Sequence, residues 1–487
     1  MMSMVGEFSA QATPDRFHRW ARTATVWLFV GVLAWSPFPL GGAISWGAGL
    51  QEILIALCWI LWVASTISRP RVESWSEIRA VIAPLALAVI VLAWACVQML
   101  PGVPASWIHP VWTMASDALG RPVQGAISLN PWRTESEILK LSSYVMACWL
   151  AFRLARRPQT AATLLNAIIA IAAAYALYAL GLTFAGVSQS EIFYMTPFHS
   201  DFVTGPFMLH NSFATYSGLG ALAAIAKLFA MGSQSIVADR GARSLALTIA
   251  QFCSGRGAAV LVAVLLTFAG VVASASRAGF AATMCGVVAL ALTSLLVTRR
   301  GSTRLWAGAG ALVAVLPLLF LIVFNGNTLG ERLSQLLDTG ITDDVRLALW
   351  AAANRMIADA PWFGLGLGTF QDAYPLYATQ LLPYVMDKAH CDYLELAAGL
   401  GLPAAVAWWC AMTWLFVVCI RGVRIRRRNR LYPLIAVGAT TLVAVHSSVD
   451  FSLQMPAVAL MYATILGLGV AQALPTHNKT QHENSNY

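Results

Sequence analysis

Residues 257–298 read GAAVLVAVLLTFAGVVASASRAGFAATMCGVVALALTSLLVT. Two apolar runs, 257–275 and 278–298, meet at the short sequence SRAG, which leaves no room for a loop between them. Each run has about the 20 apolar residues that an α-helix needs to cross the hydrocarbon core of a bilayer. The stretch therefore predicts two membrane-spanning helices joined by a tight connection.

The same pattern recurs along the chain. Hydrophobic residues make up 58% of the 487 residues and charged residues only 11%, whereas a soluble protein has about 25% charged residues. The long continuous runs also differ from the short alternating segments of a membrane β-barrel. We expect an all-α polytopic membrane protein with about twelve transmembrane helices. The predicted spans are 23–41, 49–67, 79–100, 138–155, 160–185, 211–231, 257–275, 278–298, 305–325, 394–420, 431–447 and 456–474.

A large insert, residues 326–393, separates the ninth and tenth predicted spans. A connection of this length is usually functional or disordered, and the aromatic content of the insert argues against disorder. Apolar residues recur at helical spacing around Arg346, which predicts an amphipathic helix that ends before Pro361 and holds Arg346 in its first turn. The glycine run at 364–368 follows no strand and predicts a tight turn rather than a dinucleotide site. We expect a large loop containing short helices.

The lysines and arginines indicate the orientation. If the N-terminus is cytoplasmic, most of the 31 basic residues fall in cytoplasmic loops, as the positive-inside rule requires. The net charge of +9 is then a membrane bias, and no basic soluble module indicates nucleic-acid binding. Both termini are predicted to be cytoplasmic, with residues 326–393 outside, which in a bacterium is periplasmic. The polar segments 1–22 and 475–487 are expected to be disordered.

Two arginines stand out at the outer face. Arg277 lies at the boundary between two apolar runs, where a charged side chain is costly and suggests a functional site; the alternative is an arginine that reaches the lipid headgroups. Arg346 is predicted near the start of a helix, where the helix dipole disfavours a cation. Its alternative role is a solvated helix face or an ion pair with Asp343.

His390 is the candidate proton acceptor, because histidine can take up a proton near neutral pH. Asp392 is only two residues away and would face elsewhere on a helix, so a carboxylate that orients His390 must come from another segment. No CxxC motif or His/Cys cluster predicts a metal site. Other polar residues could line the same outer cavity or serve as polar caps. These candidates are His210, Asn211, Arg355, Asp392, His446 and Asp450.

The ordered motifs resemble a known family. SRAG at a span boundary, then RLALW with MIADAPWFGLGLGTF, then AHCDYLELAAGLGLP look like the signature of the O-antigen ligase and O-antigen polymerase superfamily. The resemblance covers roughly residues 205–460. It divides the chain into a cytoplasmic segment 1–22, N-terminal transmembrane helices 23–204, a catalytic membrane domain 205–460 and an end with a cytoplasmic tail 461–487.

The resemblance implies the roles of three residues. Arg277 and Arg346 match the arginines thought to hold the pyrophosphate of a polyprenyl-linked glycan, and His390 matches the histidine proposed to activate the acceptor hydroxyl. Cys391 departs from the family, which often has Asn at this position. The implied enzyme is a metal-independent, inverting glycan transferase of the bacterial inner membrane that needs no cofactor, with its active site facing the periplasm.

Several functions remain open. A ligase would move the glycan onto lipid A–core in lipopolysaccharide biosynthesis, and a polymerase of O-antigen or exopolysaccharide would move it onto a growing glycan. A protein transferase is disfavoured because the insert is short. A flippase or transporter of lipid-linked glycans would predict charged residues inside the spans and two related halves, neither of which is evident. A scaffold without activity would leave Arg277, Arg346 and His390 freely replaceable.

Overall fold

The structure is a computed structural model. It describes residues 4–38, 40–67, 75–187, 202–237, 255–297, 341–379, 385–426 and 428–475. The α-helices of these residues are α1 (Met4–Trp35), α2 (Ser45–Ile67), α3 (Trp75–Met99), α4 (Val111–Leu119), α5 (Pro131–Leu154), α6 (Pro158–Phe184), α7 (His210–Val237), α8 (Gly255–Ala273), α9 (Arg277–Val297), α10 (Ile341–Asp359), α11 (Phe370–Tyr377), α12 (Asp392–Leu400), α13 (Leu402–Ile425), α14 (Leu431–His446) and α15 (Pro456–Ala473).

The prediction of a multi-pass helical membrane protein is confirmed. Within the described part of the chain, eight helices are long and apolar enough to cross a membrane. They are α2, α3, α6, α7, α8, α9, α13 and α15. The predicted spans 23–41, 138–155 and 431–447 correspond to α1, α5 and the shorter α14, which are not among these eight. The span 305–325 and residues 326–340 and 380–384 of the insert lie outside the described residues.

Helix α15 forms the centre of the bundle and is buried along its whole length. It packs against α5, α13 and α14. Elsewhere in the bundle, small residues allow two helices to approach each other closely. A Cβ atom at Gly286 on α9 would lie 2.8 Å from the carbonyl oxygen of Gly438 on α14. This crossing holds the helix that begins with Arg277 against the helix that ends with His446.

One end of the bundle is covered by α4, α10, α11 and α12, and we call it the capped end. Gln98, at the end of α3, is fully buried and joins the cap to the bundle. Its side-chain amide donates to the carbonyl oxygens of Phe363 at 2.7 Å and Gly399 at 2.8 Å, and its oxygen accepts the Leu367 N–H at 3.1 Å. One span residue therefore fixes two segments of the cap.

The glycine run of the cap makes the predicted tight turn. Gly364, Gly366 and Gly368 all have positive φ, at 67°, 106° and 78°, and a Cβ atom on Gly364 would collide with the backbone of Gly399. The turn bonds to the end of α12 through the Leu365 N–H and the Ala398 oxygen at 2.9 Å. Only glycine allows this backbone to approach so closely.

Three expectations from the sequence were wrong. The predicted span 394–420 is two helices, because the chain breaks at Gly401, which has φ 81° and is followed by Leu402 and Pro403. Helix α10 begins at Ile341, so Arg346 lies in its second turn rather than its first. The first residues are helical from Met4 rather than disordered, since extending an existing helix adds a hydrogen bond for each residue fixed.

Candidate functional site

His390 lies in the cap just before α12, with a backbone conformation that histidine seldom adopts. Its φ is 51°, in the left-handed region that is costly for a residue with a Cβ atom. Three bonds hold the segment there. The indole N–H of Trp350 donates to the His390 carbonyl oxygen at 3.3 Å, and the N–H of Ala389 donates to Glu395 Oε2 at 2.8 Å. The third bond ties the N–H of Asp392 to the Ser447 carbonyl oxygen at 2.9 Å.

Asp450 supplies the carboxylate beside His390. Its Oδ1 lies 3.6 Å from His390 Nδ1, which is an ion-pair distance but long for a hydrogen bond. The N–H of Phe451 also donates to Oδ1 at 2.8 Å, and the amide of Asn211 donates to Oδ2. The structure therefore places a carboxylate from another segment at ion-pair distance from His390 Nδ1.

The charge of Asp450 is well stabilised although the residue is only 1% exposed. Burial by itself would raise its pKa. The neighbouring rings of His390 and His446, together with the Phe451 N–H, outweigh burial and hold the pKa of Asp450 below its ordinary value. The negative charge of Asp450 is therefore favoured beside the Nδ1 edge of the His390 ring.

The rest of the His390 ring faces open space. Nδ1 is buried, whereas the side chain as a whole is 30% exposed, so the exposure comes from the other side of the ring. Phe451 packs edge-on against the ring at 4.8 Å. A histidine with one nitrogen on a buried carboxylate and the other edge open can accept a proton from a bound hydroxyl group.

Two further histidines connect Arg346 electrostatically with the His390–Asp450 region. His210 and His446 both interact electrostatically with Arg346 and with Asp450. His446 is buried, and no hydrogen-bond partner of its ring nitrogens is found among the described residues. His210 Nδ1 donates to the Ser274 carbonyl oxygen at 2.9 Å. The cluster of His210, Asn211, Arg346, His390, His446 and Asp450 is called the polar cluster below.

Arg277 opens α9 three residues after Ser274 and is exposed. The residues around it explain the SRAG sequence. Ser276 Oγ accepts the Gly279 N–H at 3.0 Å and so caps the helix. A Cβ atom at Gly279 would collide with Ala214 on α7. The serine and the glycine therefore fix Arg277 at the capped end, next to the helix that carries His210.

Residues 262–409 match the family model described as O-antigen ligase. The match confirms the resemblance to the O-antigen ligase and polymerase superfamily and indicates a membrane protein with a function in glycan assembly. The matched segment begins within α8, ends within α13 and contains Arg277, Arg346 and His390. His210, His446 and Asp450 come from flanking helices and complete the polar cluster. A comparison with curated proteins gives no match.

Two further candidate residues of the matched segment, Arg355 and Asp392, make hydrogen bonds that join segments of the fold. Arg355 Nε donates to the Tyr377 carbonyl oxygen at 2.8 Å, which ties α10 to the end of α11. Asp392 accepts the Ser447 hydroxyl at 2.7 Å and the Gln454 amide at 3.0 Å. Burial raises the pKa of Asp392 to about 7, against the effect of these two bonds. Asp392 therefore links α12 to the loop that carries Asp450, but it does not bind His390.

Cys391, where the family often has Asn, occupies the N-cap of α12 with φ −160° and ψ 106° and makes no side-chain capping hydrogen bond. Its sulfur lies near the N–H groups of Tyr393 and Leu394. Sulfur is a weak acceptor, whereas an Asn oxygen at an N-cap accepts such an N–H well. An Asn at this position could therefore cap α12 better than Cys391 does.

Sequence reasoning missed the charged pair beneath His390. Glu395 Oε1 lies 3.5 Å from Lys388 Nζ, with side-chain exposures of 7% and 16%. The signal was present in the sequence, because a glutamate within the apolar run YLELAAGL is a rare residue type at the edge of a predicted span. Within the described residues no group of three His, Cys, Asp or Glu side chains could hold a metal ion.

Proposed function

We propose that this protein is a membrane glycosyltransferase of the O-antigen ligase type. It moves a glycan from a polyprenyl pyrophosphate carrier to a hydroxyl group of lipid A–core at the periplasmic face of a bacterial inner membrane. The observation that carries the proposal is the pairing of His390 with buried Asp450, together with the electrostatic interaction of Arg346 with the neighbouring His446, within and next to the segment that matches the O-antigen ligase family model.

Arg277 and Arg346 bind the pyrophosphate of the donor in this proposal. A guanidinium group stays charged at any working pH and can bind phosphate oxygens with two parallel hydrogen bonds. Neutralising the developing charge of the pyrophosphate makes it a better leaving group. Because the arginines supply this positive charge, we infer that the transfer needs no metal ion and continues in the presence of a chelator.

His390 activates the acceptor. Its open ring edge takes the proton of the acceptor hydroxyl while Asp450 stabilises the imidazolium ion that forms. The acceptor oxygen forms a bond to the anomeric carbon, the bond from that carbon to the pyrophosphate oxygen breaks, and the electron pair leaves with the pyrophosphate. A single displacement of this kind inverts the anomeric configuration, so a product that retains the donor configuration would exclude it.

The orientation of the proposal rests on charge. The basic loops of the sequence predict cytoplasmic termini. Helix α3 then starts at the cytoplasmic side, and the capped end faces the periplasm. A pyrophosphate-linked donor carries its own activation, which suits a compartment without ATP.

The second candidate is a polymerase of O-antigen or exopolysaccharide, which would use the same donor chemistry with a growing glycan as acceptor. A flippase is a candidate of another class. The buried His390–Asp450 pair favours proton transfer over transport, because a transporter would need its charged groups inside the spans.

Glycan analysis of cells that lack the protein distinguishes these functions. The cells are complemented with the wild type or with His390→Asn, because asparagine tolerates positive φ and preserves the backbone. We expect bare lipid A–core and full-length polymer on the polyprenyl carrier, with no rescue by the variant. Acceptors that carry a single repeat unit would identify a polymerase. Single units trapped at the cytoplasmic face, or full rescue by the variant, would contradict the proposal that the protein is a glycosyltransferase.

A further inference from the structure

A large space lies between the helices of the bundle, and its described lining contains no arginine. It is a cavity of about 700 Å³ between α3, α5, α13, α14 and α15. Along α5 its lining extends from Glu137 to Phe152, which is about 22 Å of helix. Apolar side chains such as Leu85, Phe416 and Leu466 cover most of its wall. The cavity has the length and character of a lipid-chain site.

Helix α14 separates this cavity from the polar cluster. Thr440, Ala444 and Val445 of α14 line the cavity. His446 does not line it, and its ring interacts with Arg346 and Asp450 on the other side. The cavity is therefore not a continuation of the region that we propose for the donor pyrophosphate.

The charged side chains of the cavity lining are at the capped end, and all of them are acidic. Glu137, Asp392 and Glu395 line this end together with Tyr144, whose buried hydroxyl has no hydrogen-bond partner among the described residues. The described lining contains no lysine or arginine. Lys140 and Lys388 pair with Glu137 and Glu395 from outside the cavity wall. A headgroup at this position meets the lysine-paired carboxylates of Glu137 and Glu395 and the free hydroxyl group of Tyr144.

We propose that this cavity binds an acyl chain of an ethanolamine phospholipid, with the headgroup ammonium at the carboxylates of Glu137 and Glu395. An apolar space of this size inside a bilayer does not fill with water, since water needs several polar partners. The ammonium group is attracted to the carboxylates and can donate to the Tyr144 hydroxyl. The polyprenyl donor is a poorer occupant, because its pyrophosphate carries more negative charge than the single phosphate of the phospholipid and has no ammonium group to offset that charge.

The cavity also reaches the segment that carries His390. Asp392 and Glu395 form part of its wall, and the same two side chains bind Ser447 and Ala389. A lipid in the cavity therefore stabilises the loop around His390 together with the bundle. Lipid binding is a property of the folded bundle, and its tests do not require turnover.

Lipid extraction tests the occupant. The full-length protein is purified in mild detergent, and its retained lipids are identified by mass spectrometry. Ala444→Trp fills the cavity, and Met412→Trp, also on the lining, is a second variant if the first does not fold. Ala170→Trp, at an exposed position on α6 outside the cavity, is the matched control.

We expect an ethanolamine phospholipid on the wild type and the control and its loss from the variants that fill the cavity. Retained polyprenyl pyrophosphate, no retained lipid, or equal retention by wild type and Ala444→Trp would each overturn the proposal. None of these outcomes depends on whether the protein transfers glycans, so the two proposals fail separately.

A second measurement tests the headgroup. Thermal unfolding of the delipidated protein is followed after transfer into vesicles of phosphatidylethanolamine or of phosphatidylglycerol with the same acyl chains. Phosphatidylethanolamine should raise the unfolding temperature more, and Glu137→Gln should remove most of that difference. Equal stabilisation by both lipids, or an unchanged preference in Glu137→Gln, would contradict the assignment of the ammonium to these carboxylates.

Discussion

Glu395 Oε2 accepts the backbone N–H of Ala389 at 2.8 Å, and this bond holds the residue that precedes His390. The other carboxylate oxygen of Glu395 pairs with Lys388 at 3.5 Å. One side chain of α12 thus binds two consecutive residues of the segment that turns into the unusual backbone of His390. Glu395 is a positioning residue, since it contacts the backbone and not the imidazole ring.

Glu395→Gln should lower both stability and transfer rate. Glutamine can still accept the Ala389 N–H, but Lys388 becomes a buried cation without its partner. Breaking a buried ion pair costs about 3 kcal/mol. Thermal unfolding in detergent and single-turnover transfer measure the two effects. The double variant Glu395→Gln/Lys388→Met should recover most of the lost stability; if it is no more stable than the single variant, the ion pair is not the cause.

Asp450→Asn tests the partner of His390. The variant keeps the size of the side chain and removes the charge that favours a proton on Nδ1. The expected loss in turnover is on the order of 10³-fold, because the ring loses its orientation and the imidazolium ion its counter-charge. The apparent affinity for the donor should change little. A rate within a few-fold of the wild type would rule out a catalytic role for the pair.

Arg346 and Arg355 form a matched pair on one helix. Arg346→Gln should reduce turnover by about 10²-fold through the loss of charge at the leaving group. Arg355→Gln loses its bond to the Tyr377 carbonyl oxygen and should cost about 1–3 kcal/mol of stability, with little effect on rate below the unfolding temperature. Kinetics and thermal unfolding of both variants check these two roles. A loss of rate in Arg355→Gln together with a loss of stability alone in Arg346→Gln would refute them.

Cys391→Asn should stabilise the protein. The new amide oxygen can accept an N–H of the first turn of α12, and a good N-cap contributes about 1 kcal/mol. Chemical denaturation in detergent, compared with Cys391→Ala, measures the change. A variant no more stable than Cys391→Ala would mean that the N-cap position is already satisfied in the wild type.

Asp392 should make stability depend on pH. Its pKa rises from an ordinary value of 3.8 to about 7 in the folded protein, so between these values the folded state binds the proton more tightly than the unfolded chain. The resulting stabilisation is fully present below the ordinary pKa and is lost as the pH rises to 7.

Asp392→Asn should therefore unfold at a higher temperature than the wild type at about pH 8, while the difference shrinks at about pH 5. The Ser447 hydroxyl can rotate to accept from the new amide, so the variant keeps its bonds. Unfolding curves across this range check the prediction. A wild-type curve that is flat with pH would show that Asp392 is ionised throughout.

Seven of the predicted spans agree with α2, α3, α6, α7, α8, α9 and α15 to within a few residues. Hydropathy finds such helices because their residues are apolar whether they face lipid or protein. It could not reveal the break at Gly401, since the residues on both sides are equally apolar. That break depends on the contact between the turn at Gly364 and the end of α12, which brings together residues far apart in sequence.

The polar cluster was predictable only in part. His390 and Asp450 were both recognisable as polar residues at span ends, and the need for a distant carboxylate followed from the spacing of Asp392. The pairing itself requires α14 to lie against α9 and α7, which results from close contact at Gly286 and Gly438. The roles of Glu395 and Trp350 depend on the backbone of His390, which no local pattern indicates.

The buried amide of Gln98 has a mechanical consequence. It joins α3 to the glycine turn and to the last residues of α12, so these segments cannot move separately. Membrane helices adapt to thinner or thicker bilayers by changing their tilt. A change in the tilt of α3 is therefore transmitted to the helix whose first turn follows His390, which couples the geometry of the polar cluster to the thickness of the surrounding membrane.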